Sequence, residues 1–236
     1  MIKFFRKIRQ NLLSEGKTGK YLKYAIGEIL LVVIGILIAV QVNNLNVKNQ
    51  NQKKEILYLT RLTTNLGYDK RLYETLIKED SILIDKLNKV EEDLSTFIKK
   101  IDNPIEDLNF LVAGYKFTSN KTTINNLVSS GQIEILRSNY LIEDIFLYYR
   151  TTEYIEKGID ESIFKHNRER FSDLIIEFDE NDVLGYNYSN KLKKSIQFKI
   201  TLIKKQIDWY NDQKSHAQKL IDNINSEINF IEGKNN

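Results

Sequence analysis

The stretch "YAIGEILLVVIGILIAVQV", residues 24–42, sets nineteen mainly apolar positions in a row. A helix needs about 20 such residues to cross the hydrocarbon core of a bilayer. The charge beside this run is one-sided. Residues 1–23 carry seven Lys/Arg (Lys3, Arg6, Lys7, Arg9, Lys17, Lys20, Lys23) against one acid, Glu15. The whole chain is only +3, so the rest is slightly acidic. A short basic arm next to an apolar run suits an anionic membrane surface, not a nucleic-acid face. Tyr21 and Tyr24 stand where an interfacial aromatic belt would. No A-x-A-like cleavage site follows at "AVQVNNLN", which argues against a removed signal peptide. The expectation is a single-pass transmembrane helix over 24–42. Its basic side, 1–23, would be cytoplasmic and everything from 43 to 236 extracytoplasmic. In a diderm bacterium that means an inner-membrane protein with a periplasmic domain.

Within the arm, Ile2, Phe5, Ile8 and Leu12 recur at helical spacing among the basic residues, as in an amphipathic helix on the leaflet surface. "EGKTGK" superficially resembles a phosphate-binding loop. A P-loop needs glycine five positions before Gly16, and that position is Asn11.

The run contains one carboxylate, Glu28. On a helix, Glu28, Gly35 and Ala39 share a stripe, and Gly35 and Ala39 form a small-xxx-small pair. An ionised group at membrane depth costs a few kcal/mol and normally faces protein or water. The stripe is therefore read as a transmembrane packing face for another helix. Glu28 reaching the headgroups is the open alternative.

The remaining chain has one proline, Pro104, ten glycines in all and no cysteine. So few turn residues predict helices, and no disulfide or thiolate site can form. Residues 43–54 read as a polar exit from the membrane. A long helix is expected over about 50–101, with Ile56, Leu59, Leu66, Tyr73, Ile77, Ile84, Leu87, Leu94 and Ile98 inward. "DNP" at 102–104 would end it, with Pro104 able to start the next helix at its first turn, and 105–117 would form a short helix. Thr122/Thr123 suit a helix start, and Ser129-Ser130-Gly131 a stop. A helix over 139–178 and a loop at 179–190 follow. The last helix, about 191–232, has the strongest pattern. Ile196, Ile200, Ile203, Ile207, Tyr210, Ala217, Ile221, Ile224, Ile228 and Ile231 step by threes and fours, with Lys214 the charged exception. This is read as a coiled-coil seam, packed either within an antiparallel bundle or against a second copy. The expected fold class is all-α: one N-terminal transmembrane helix, then an elongated antiparallel helical bundle with coiled-coil-like packing.

Motifs for chemistry are missing. His166 and His216 fall in separate predicted helices, and no Glu-x-x-His or His-Glu-x-x-His spacing occurs. Asp173, Glu177, Asp179, Glu180 and Asp182 cluster without the spacing or glycine of a calcium loop. Tyr148, Tyr149, Tyr154 and the pair Trp209/Tyr210 read as core or interface anchors. No cofactor, no metal and no enzymatic activity are expected.

Two stretches, "YLKYAIGEILLVVIGILIAVQVNN" (21–44) and "TTINNLVSSGQIEILRSNYLIEDIFLYY" (122–149), resemble a domain-of-unknown-function family of bacterial single-pass membrane proteins. The resembling positions are Gly27, Glu28, Gly35 and Ala39, then Asn126, Ser129, Ser130 and Gly131. The resemblance implies topology and bacterial origin, and no catalytic residues. Expected partners are the lipid bilayer and a membrane protein or second copy, with no nucleic acid. The expected role is a non-enzymatic accessory or scaffold; a periplasmic ligand-sensing module is the alternative.

Overall fold

A computed structural model describes residues 18–178 and 186–233. Those residues are all-α, with no strand among them. The chain divides into two units, Met1–Lys54 and Glu55–Asn236. The basic arm at 1–17 and the loop at 179–185 lie outside the described residues.

The first unit is the leading part of helix α1, Thr18–Glu92. From Ile29 to Val40 every residue is apolar or glycine and exposed; Leu31, for example, is 68% exposed. A helix that is apolar all round has no aqueous face, so its natural surroundings are lipid or other protein. It is the one described helix long and apolar enough to cross a membrane. The helix continues through the polar exit at 43–54. That stretch contains neither glycine nor proline, so nothing interrupts the hydrogen-bond ladder.

In the second unit, α1 ends at Glu92, earlier than the predicted 101. Asp93 turns the chain: its carboxylate accepts from Thr96 N at 3.3 Å and starts α2, Leu94–Lys99. Pro104 opens α3, Pro104–Asp107, at its first turn, where its missing N–H costs nothing. Asn103 caps that start, accepting from Ile105 N at 3.2 Å. The short helix expected over 105–117 stops early. After α4, Asn109–Val112, residues 113–121 run without helical structure. Helix α5, Thr122–Ser129, ends in Gly131, whose φ of 66° is a left-handed conformation that glycine adopts without penalty. A 3₁₀ turn, Gln132–Ile135, leads to α6, Asn139–Ile159, with Ser138 Oγ accepting from Leu141 N. Two π-helical turns, Asp160–Phe164 and Asn167–Phe171, carry the path into α7, Ser172–Ile176. The last helix, α8, covers Tyr186–Gly233.

Side-chain pairs give the helix directions. Lys70 meets Gln218, Asp80 meets Gln206, and Glu91 meets Gln197, so α8 runs antiparallel to α1. Asp144 meets His216 and Thr152 meets Gln213, so α6 is also antiparallel to α8. The core forms three apolar clusters: one around Leu62, Tyr148 and Leu220, one around Tyr73, Phe117 and Tyr210, and one around Leu87, Leu108 and Ile196.

Candidate functional site

The inward face of α8 is wider than the predicted row. Ile196, Ile200, Ile203, Tyr210, Ala217, Ile224 and Ile231 are buried, as their spacing suggests. Ile207, Ile221 and Ile228 lie at the half-buried margin, as does Lys214. The row that faces inward beside Ile203, Tyr210 and Ala217 lies one residue earlier. It contains Leu192, Lys199, Gln206, Gln213 and Leu220, seven apart and all buried. The facing part of α1 behaves alike. Asp69 falls in the row of Leu62, Leu76 and Leu83, and Asp80 in the row of Leu66, Tyr73 and Leu87. Both aspartates are at most 1% exposed. Apolarity alone selects the isoleucines; the fold also buries the charged and amide residues beside them.

The reason is the segment 113–120. It is not helical, so its backbone groups cannot satisfy one another, and burial without partners would cost about 1–3 kcal/mol each. The polar seam supplies the partners. Lys199 Nζ donates to the carbonyls of Ala113 (2.7 Å), Phe110 (3.3 Å) and Leu111. Its positive charge thus sits at the carbonyl end of α4, where a cation is favoured. Gln206 Nε2 lies 2.9 Å from the Tyr115 carbonyl, 2.8 Å from Asp80 Oδ2 and 3.1 Å from the Tyr210 hydroxyl. Phe117 N donates to that hydroxyl at 3.2 Å. Ser119 N donates to Glu156 (2.9 Å) and Asn120 N to Asp69 Oδ1 (2.8 Å). The second oxygen of Asp69 accepts from Ser119 Oγ at 2.6 Å and Tyr148 OH at 3.0 Å. Between these bonds the Phe117 ring stacks on Tyr73, with centroids 3.9 Å apart. Backbone groups at 113, 115, 117 and 119 are thus served alternately along the strap.

Burial displaces the titration of these groups. Asp80 is pushed up to about 7 by desolvation, with the Gln206 bond and Lys199 opposing. Lys199 is pushed down to about 7 by desolvation, with Asp80 opposing. Desolvation raises Asp69 as well, against the three hydrogen bonds it accepts. A third buried carboxylate, Glu55, grips Arg137 at both oxygens: Arg137 N at 2.8 Å and Nε at 2.6 Å. These polar residues were missed in the sequence because each looks like a solvated helix position. The available signal was their seven-residue spacing from leucines.

In the first unit, Glu28, Gly35 and Ala39 lie along α1 at intervals of seven and four. Glu28 is half-exposed and Ala39 exposed, and a Cβ on Gly35 would meet nothing within 4 Å. Elsewhere, Tyr148 and Tyr149 are buried while Tyr154 is 74% exposed. Trp209 rests on Gly158, 3.7 Å from where a Cβ would be. Asp173 and Glu177 belong to the α7 region; the other three acids of that cluster lie outside the described residues. Among the described residues, no group of three His/Asp/Glu is placed to hold a metal.

One recess is strongly basic. His166, Arg170, Lys191, Lys194, Ser195 and Phe198 line it, between the π-helical turns and α8. The His166 ring stands edge-on to Phe171 and Phe198, with centroids 5.5 and 4.8 Å away. Burial lowers its tendency to protonate, partly offset by a bond to the Ser195 backbone. Its Nε2 is buried with no hydrogen-bond partner.

No curated protein and no solved structure matches this chain. A family model does, over residues 28–186, which begins at the glutamate of the apolar helix and takes in the strap, α5, α6 and both π-helical turns. The match spans more than half of the 236 residues, and the chain belongs to the family of unknown function DUF6090.

Proposed function

We propose that this protein is a membrane-anchored, non-enzymatic accessory or scaffold subunit of a bacterial inner membrane. Residues 24–42 form its single span, the basic amino-terminal arm is cytoplasmic, and the helical domain is periplasmic. The observation that carries this reading is the exposed apolar surface of α1, which surrounds the helix completely from Ile29 to Val40. Glu28, Gly35 and Ala39 are its packing face for a membrane partner or a second copy, since a carboxylate and small residues on one stripe suit close helix approach. The remainder of the molecule then presents a folded domain at a fixed point on the membrane. Affinity purification of the full chain from its own membranes in mild detergent is the test. A stoichiometric partner that disappears with Glu28→Leu plus Gly35→Leu is the expected result. Partner recovery unchanged by that double substitution removes the packing face.

The basic recess favours a second reading, a ligand-sensing module that signals through a separate membrane protein. A small-molecule site in a helical bundle forms between helices, as this recess does.

A further inference from the structure

The recess combines features with no evident structural use. Arg170, Lys191 and Lys194 are all exposed, and none has an ion-pair partner among the described residues. This contrasts with their neighbours: Lys165 pairs with Glu169, and Lys193 with Glu91. Among the described residues, no acidic residue lines the recess. Three like charges around one hollow repel each other, and they focus a positive potential into it. The stability of the bundle gains nothing from that arrangement, whereas an anion in the hollow would relieve it.

Two further observations point to the same place. The backbone here leaves the α-helical pattern twice, in Asp160–Phe164 and Asn167–Phe171. π-helical turns are rare, and they are frequent at functional sites. Arg170 lies within the second turn and His166 immediately before it. The buried Nε2 of His166, a lining residue, lacks a partner, and a buried imidazole nitrogen ordinarily has one. Phe198, 52% exposed, supplies an apolar wall on the α8 side.

We propose that this recess binds a small tetrahedral oxyanion of the phosphate class. Arg170 offers a planar fork of donors suited to two oxygens at once, and Lys191 and Lys194 add point charges from one side of α8. An anion there favours the imidazolium form of His166, whose Nε2–H then donates one more hydrogen bond, and the buried Ser195 completes the lining. The site deepens the sensing reading. Binding is measured apart from any partner, so failure of the site is distinguishable from failure of that reading.

The test is calorimetric titration of the full-length protein, in micelles of an uncharged detergent, with inorganic phosphate at 0.15 M sodium chloride. The wild-type chain is expected to bind phosphate saturably. Arg170→Gln with Lys194→Gln is expected to weaken binding by about tenfold or more, the scale of a lost charge-assisted contact. Lys193→Gln with Lys204→Gln removes equal charge from α8 outside the recess and should leave the affinity unchanged. Circular dichroism checks that each variant keeps its helices. Glycerophosphoglycerol, the soluble headgroup of an anionic lipid, identifies the source. Tighter binding of inorganic phosphate marks a free ion, tighter binding of the diester marks a lipid headgroup, and both place the oxyanion in the recess. No saturable binding of either probe overturns the proposal, as does equal loss in the recess and control variants.

Discussion

The two units of this chain invert each other. Residues 24–42 turn leucine, isoleucine and valine outward on every side, and the second unit buries aspartate, lysine and glutamine between its helices. Each would be an error by ordinary patterning, which places apolar residues inside. The difference shows that burial follows what the neighbouring matter can satisfy. Around the first unit, lipid tails would accept apolar groups at no cost. Inside the second, the non-helical strap at 113–120 presents unpaired amides and carbonyls, and only polar side chains can meet them.

The largest effect is expected from breaking the first half of the contrast. Leu31→Arg with Ile34→Arg puts two charges at the middle of the proposed span, at about 2.5–3.5 kcal/mol each. The protein should leave the carbonate-resistant membrane fraction. The same change at Ile176, 81% exposed in the second unit, should leave fractionation and stability unaltered. If the doubly substituted protein stays in the membrane, the outward apolar surface has another purpose.

A smaller effect sharpens the second half. Lys199→Met strips the carbonyls of Phe110, Leu111 and Ala113 of their donor, and should destabilise the bundle by about 2–4 kcal/mol. Lys214→Met, on the same helix at the half-buried margin, should cost under about 0.5 kcal/mol. Urea denaturation followed by circular dichroism separates the two; similar losses at both would return the seam to the isoleucine register.

The smallest effect is one of pH. Asp80 holds its proton up to about 7 in the folded chain, whereas an unfolded aspartate releases it near 3.8. Between those values the folded state binds more protons, so Asp80 makes stability fall as pH rises from 4 to 7. Lowering the pH from 7 to 5.5 should therefore stabilise the wild type relative to Asp80→Asn, by about 1–2 kcal/mol. Melting curves of both proteins at the two pH values give the comparison. A difference that stays constant removes Asp80 as the titrating group.

Much of the fold could be read directly. Scarce glycine and proline foretold helices, Gly131 marked a real stop, and alternating threes and fours found the inward face of α8 at Ile196, Ile203, Tyr210, Ala217, Ile224 and Ile231. What was illegible shares one cause. Local pattern does not show where a distant segment of chain will lie. The strap comes between α4 and α5, so it needs Lys199 and Gln206, about ninety positions away in sequence. Their row was passed over for Ile200 and Ile207, which have the more apolar side chains. The basic recess escaped for a similar reason: Arg170 and His166 line one hollow with Lys191 and Lys194 only in the folded chain.

The most direct test of the membrane-anchored reading exploits the absence of cysteine in this chain. Single cysteines are placed at Ser14→Cys in the basic arm and Ser226→Cys on an exposed turn of α8, and spheroplasts are treated with a membrane-impermeant maleimide. The account predicts labelling at position 226 alone, with position 14 becoming reactive only after lysis. Labelling at both positions before lysis, or at position 14 alone, would contradict it.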